Sequence, residues 1–191
     1  RSVQAHPALE PFVPIFAEAG VPLTRREDMP AVQAGKLLLN LNNAINALAD
    51  VPLREELSQR DWRRCLALAQ AEALAVYRAA GIVPARVTPL PSSWLPALMR
   101  LPDALFLRLA SRLLRIDPLA RSSMWDDLAA GRATEVDFIQ GEIVELGRAH
   151  GVATPVNARL MQRVHEAEQA RRHWSASELL ADLQAAMGSA R

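Results

Sequence analysis

Of the 22 Lys and Arg residues in the chain, Lys36 is the single lysine. Four of the five asparagines, Asn40, Asn42, Asn43 and Asn46, follow it closely in the run GKLLLNLNNAINAL. Codon usage in a GC-rich genome accounts for a general excess of arginine but not for this exception, because arginine serves equally well as a solvated surface cation. The two side chains differ where a proton has to move: arginine stays charged, whereas a partly buried lysine titrates. On a helix advancing 100° per residue, Lys36, Asn40 and Asn43 form one stripe about 60° wide. Leu37, Leu38, Leu41, Ala44, Ile45 and Leu48 occupy much of the remainder. An ammonium flanked by carboxamides points to acid–base chemistry. The plainer reading is that these groups face solvent or cap backbone in a helix–helix groove, and the stripe itself is compatible with both.

A second cluster lies in RSSMWDDLAAGRATEVDFIQGEIVELG. Ser123 with Asp126, and Thr134 with Asp137, have the spacing of helix N-caps. Glu135 is less simply explained, although acids in a first helical turn also complement the helix dipole. Gly141 and Gly147 are unfavourable within a helix and mark places where another element comes close. Trp125 and Phe138 read as core. His165 and His173 fall on a charged, solvated face, and His150 as a helix C-terminal residue. The chain contains no G-x-G-x-x-G, no Walker loop and no G-x-S-x-G.

Helices must position these groups. Between Asp61 and Ala80 apolar residues recur at three-and-four spacing, and Gly81 supplies a stop. Similar patterns cover about 29–49, 104–115, 134–150, 155–172 and 177–187. Five prolines between Pro84 and Pro102 make that segment an irregular connection, expected to pack Trp94, Leu95, Leu98 and Met99 onto the surface. The first residues differ: PALEPFVPIFAEAG suggests a short helix ending at Gly20, and VPLTRRED a brief strand without a partner. The expected architecture is an all-α multi-helix bundle over 28–191, preceded over 1–27 by a helix–strand remnant of an α/β domain.

Composition narrows the function classes. The formal net charge of +1 offers no electrostatic case for nucleic acid or an anionic membrane. No apolar run is long enough to span a bilayer, and the first residues do not read as a signal peptide. With Cys65 as the single cysteine and four scattered histidines, neither an internal disulfide nor a zinc cluster is expected. A reducing compartment such as the cytoplasm fits best.

GKLLLNLNNAINAL at 35–48, RSSMWDDLAAGRATEVDFIQGEIVELGRAHGVATPVN at 121–157 and RLMQRVHEAE after it together resemble the C-terminal half of the ketopantoate reductases. The resemblance implies a helical domain similar to that of 6-phosphogluconate dehydrogenase. A Rossmann domain earlier in the same protein would bind NADPH, and the pair would reduce ketopantoate to pantoate, a step toward coenzyme A. It assigns Lys36 as proton donor to the keto oxygen and Glu135 as a catalytic carboxylate near the lysine and cofactor. Asn40 and Ser123 become substrate-binding groups. Where the family often has a second asparagine, eight residues after the lysine, this chain has Ala44, and Asn43 on nearly the same face is the substitute. Gln140 replaces the usual asparagine before Gly141, and Ala34 and Gly35 stand where a tryptophan is common. The chain taken alone, without the cofactor domain, is expected to be inactive. A reductase of another 2-keto acid and a non-catalytic helical dimerisation module are the alternatives, and a homodimer is compatible with the long apolar helices.

Overall fold

A computed structural model describes residues 2–4, 7–110 and 117–189. It opens with β1 (Ser2–Gln4), α1 (Phe12–Glu18) and β2 (Thr24–Arg26). The strand expected to be unpartnered is instead paired: β2 lies parallel to β1, with Val3 opposite Arg25. A parallel pair needs a crossover, and α1 supplies it, so this is a small β-α-β unit. Phe12 and Ile15 of α1 are exposed and lie outside the main core.

Helices then follow throughout the described residues. They are α2 (Met29–Asn40), α3 (Asn42–Ala49), α4 (Leu53–Ser58), α5 (Arg60–Ala79), α6 (Leu95–Met99) and α7 (Asp103–Ala110). After the segment 111–116, where the expected extension of α7 lies outside the described residues, come α8 (Ser123–Ala129), α9 (Val136–Ala149), α10 (Pro155–Gln169) and α11 (Ala176–Ser189). The all-α expectation is met. No helix among the described residues is long and apolar enough to cross a membrane.

The core forms where α3, α5, α9, α10 and α11 meet, around Leu41, Ile45, Cys65, Ala69, Ala73, Val76, Ile143, Leu160 and Leu183. Alanines along α5 keep the neighbouring helices near, and Gly147 does so at one point more strictly. A Cβ there would stand 2.7 Å from the Val152 carbonyl oxygen and 2.8 Å from Thr154 Cγ2. At Gly141 an added Cβ would make only an ordinary contact with Met161 at 3.5 Å, so the close approach expected there is absent.

Three further expectations are corrected. The helix read as continuous over 29–49 is interrupted at Leu41, which carries φ −54° and ψ −22°. Two buried side-chain amides donate into that interruption: Gln70 to the Leu38 carbonyl at 3.1 Å, and Gln140 to the Leu41 carbonyl at 2.9 Å. Partners from α5 and α9 therefore hold the bend. In the proline-rich segment Leu95 is buried and Leu98 and Met99 half-buried, but Trp94 is 62 % exposed. Phe138, read as core, is 80 % exposed, because α9 turns its Val136, Ile139 and Ile143 face inward and Phe138 lies outside that face. Trp125 is half-buried against the core.

Candidate functional site

The polar groups singled out from the sequence divide into two sets. Lys36 and Asn40 on α2, Ser123 at the start of α8, and Glu135 just before α9 are exposed, and Asn43 on α3 is half-buried. None of these five side chains makes a hydrogen bond or ion pair among the described residues. The residues beside them are fastened. The Ser122 hydroxyl donates to the Asn43 carbonyl at 3.2 Å and accepts from the Trp125 N–H at 3.1 Å. Ser122, not Ser123, is therefore the N-cap of α8, which leaves the Ser123 hydroxyl unused by the helix.

Glu135 is placed from both sides. The Thr134 N–H donates to Glu168 at 2.8 Å, and the Thr134 hydroxyl accepts from the Val136 N–H at 3.3 Å. Glu168 also meets His165 at 3.0 Å, and His165 meets Asp137 at 2.9 Å. The histidine expected on a solvated face thus bridges α9 and α10 instead. Glu168 foremost, and Asp137 after it, hold its imidazole above the ordinary histidine range. Asp137 serves this bridge and not the cap expected of it. Farther along α9, the Gln140 bond to Leu41 ties the Glu135 helix to the Lys36 helix.

At the other end of the motif, Asn157 fixes α10 to α5. Glu72 accepts from the N–H groups of Val156 and Asn157 at 2.8 and 3.0 Å and from the Asn157 amide at 2.8 Å. Two N–H groups of the first helical turn thereby gain a carboxylate partner.

Bonded structure brings Asn43 and Ser123 together through Ser122, and it links the α2–α3 bend to α9. Lys36, Ser123 and Glu135 do not hydrogen-bond one another. A cleft of about 480 Å³ lies elsewhere, lined by Arg60, Arg64, Leu68, Arg100, Leu180 and Gln184, and contains none of the five. Sequence reasoning missed Asn46 and Glu56, both fully buried. The signal available for Asn46 was a carboxamide between Ile45 and Leu48 on an otherwise apolar face.

Comparison with known proteins places the chain. The model of the ketopantoate reductase PanE/ApbA C-terminal family matches residues 28–168. A 2-dehydropantoate 2-reductase of Caulobacter vibrioides is 32 % identical over 165 residues, covering 86 % of this chain and 51 % of that protein. One from Vibrio cholerae is 48 % identical over 54 residues, 28 % of this chain and 17 % of that protein. Among solved structures, a PanE/ApbA family ketopantoate reductase of Ralstonia eutropha superposes with a TM-score of 0.70 at 26 % identity, over 90 % of this chain and 52 % of that one. A D-mandelate dehydrogenase complexed with NADH shares the fold at a TM-score of 0.68 and 22 % identity, over 90 % of this chain and 55 % of that one. The chain thus spans about half the length of the Caulobacter and Ralstonia relatives. It belongs to the ketopantoate reductase C-terminal family.

Proposed function

We propose that this chain is the substrate-binding and proton-donating half of an NADPH-dependent 2-dehydropantoate 2-reductase, which converts ketopantoate to pantoate on the route to pantothenate and coenzyme A. The observation that carries the reading is the contrast at the site: five polar side chains without partners among the described residues stand on backbone that buried hydrogen bonds hold in place. Reduction of a ketone develops negative charge on its oxygen, and that oxygen needs a proton donor and hydrogen-bond donors. Lys36 donates the proton. Asn40, Asn43 and Ser123 bind the keto acid through its oxygens, and Glu135 works beside the lysine.

The residues present fit only the reacting end of a nicotinamide cofactor. The exposed Glu135 carboxylate, unpaired among the described residues, can accept from a ribose hydroxyl, while the chain has no glycine-rich loop for the pyrophosphate. When bound, the cofactor supplies the hydride. Residues 1–27, with their parallel β-α-β unit, are read as the end of the nucleotide-binding domain and the hinge to 28–191. That domain is the principal partner, and a homodimer is compatible with the reading. A lone, buried thiol and a cofactor of central metabolism suit the cytoplasm.

A reductase of another 2-keto acid is the second reading, favoured by Ala44 at the position where the family often carries asparagine. NADPH oxidation by the complete protein, with ketopantoate and smaller 2-keto acids compared, separates the two. Preference for ketopantoate supports the first reading and preference for a smaller acid the second. No oxidation with any keto acid supports a dimerisation module instead.

A further inference from the structure

The Asn46 amide is fully buried and its bonds run to three separate segments. Its Nδ2 donates to Glu56 Oε2 at 2.6 Å and to the Val51 carbonyl at 2.9 Å, and its Oδ1 accepts from the Ser122 N–H at 2.8 Å. One side chain of α3 thereby holds the loop after it, α4, and the residue that caps α8. Ser122 returns a second bond to α3 through the Asn43 carbonyl. Ser123 is the next residue along. We propose that the buried Asn46–Glu56 pair is a positioning device for substrate binding, setting where the Ser123 hydroxyl stands relative to Asn43. The proposal rests on the reading of Ser123 as a substrate-binding group.

Among the described residues Glu56 makes no ion pair. On α3, Asn42 and Asn46 are neutral, and Asp50 at its end lies 3.4 Å from Arg121 and 3.8 Å from His173. On α5, Cys65 is buried and Asp61 pairs with Arg64 at 3.1 Å. Arg63 pairs with Asp103 of α7. None of the cations just named bonds to Glu56 among the described residues. Burial pushes the carboxyl up to about 8, with the amides of Asn46 and Asn42 opposing only part of that rise. Glu56 Oε1 and Asn42 Oδ1 are both buried without partners. The buried site favours the neutral acid, because burial outweighs the two amides that donate toward the carboxyl. Ionisation puts a charge into the core, so the Ser122 end of the clamp loosens as pH rises.

The test uses the complete reductase and measures KM for the keto acid separately from kcat and from KM for NADPH. Asn46→Asp keeps the shape and removes both donors. It is expected to raise the keto-acid KM about tenfold, with kcat and the NADPH KM little changed. Glu56→Gln, a neutral carboxamide, is expected to keep the wild-type KM at pH 7 and to abolish a rise in KM that the wild-type enzyme shows near pH 8. A purely structural pair would lower Tm and active fraction without moving KM, and that result overturns the proposal, as does a pH-dependent KM unchanged in Glu56→Gln. If Asn46→Asp does not fold, the Glu56→Gln profile decides. Ser123→Ala separates the two levels. An unchanged keto-acid KM in Ser123→Ala sinks the substrate-binding reading, whereas a raised KM there with none in Asn46→Asp sinks the positioning device alone.

Discussion

Two sets of polar side chains in the helical domain are treated in opposite ways. Asn46, Glu56, Ser122, Gln140 and Asn157 are buried, and each makes at least one hydrogen bond that joins separate segments. Lys36, Asn40, Asn43, Ser123 and Glu135 are exposed or half-buried and make no side-chain bond among the described residues. Adjacent residues are divided between the sets: Ser122 caps the helix and Ser123 does not. A buried donor or acceptor left unpaired costs about 1–3 kcal/mol, so the first set has to be paired inside. The second set is free to bond elsewhere, and the first set holds the backbone that carries it. Removing a member of the open set should therefore affect chemistry more than stability, and removing a fastened one should do the reverse.

The sharpest way to break this contrast is at its open end. Lys36→Met in the complete protein should lower ketopantoate turnover by about 10²- to 10⁴-fold, with Tm unchanged by calorimetry. Among the fastened residues, Asn46→Leu strands the Ser122 N–H and the Glu56 carboxyl. Urea unfolding should register a loss of roughly 3 kcal/mol or more. Glu56 also makes stability depend on pH. Its folded pKa is raised above the unfolded value, so its contribution is fully present below about 4.5 and is lost as pH rises toward about 8. Unfolding free energy should fall by on the order of a few kcal/mol across that window, and Glu56→Gln should flatten the curve. His165 acts in the same direction, from the ordinary imidazole value up to its raised one. Gly147→Ala, which forces Val152 and Thr154 aside, should cost roughly 1–3 kcal/mol. Phe138→Ala, on an exposed face, should stay within about 0.5 kcal/mol.

Helices α5, α9 and α10 were legible in the sequence because each carries its own apolar face, a property of one local segment. The bend at Leu41 was not, because the amides that hold it come from Gln70 and Gln140 on other helices. The pairing of β2 was missed since its partner, Ser2–Gln4, has no strand signature of its own. The choice between two adjacent serines as N-cap turns on which hydroxyl meets the Trp125 N–H, which spacing alone does not resolve. Phe138 is exposed despite its aromatic type, because the helix face a side chain occupies decides its burial. For the candidate site, Lys36, Asn40, Asn43, Ser123 and Glu135 stood out by residue type and resemblance. Asn46 did not, because its partners Glu56 and Ser122 lie 10 and 76 residues away in the chain.

The central claim is that the lone ammonium delivers a proton and does more than supply positive charge. A single-turnover experiment on the complete protein carrying Lys36→Arg tests it, following loss of enzyme-bound NADPH absorbance at saturating ketopantoate. A guanidinium keeps the charge but does not release the proton, so decay should slow by about 100-fold or more while ketopantoate still binds. Decay at the wild-type rate would contradict the account.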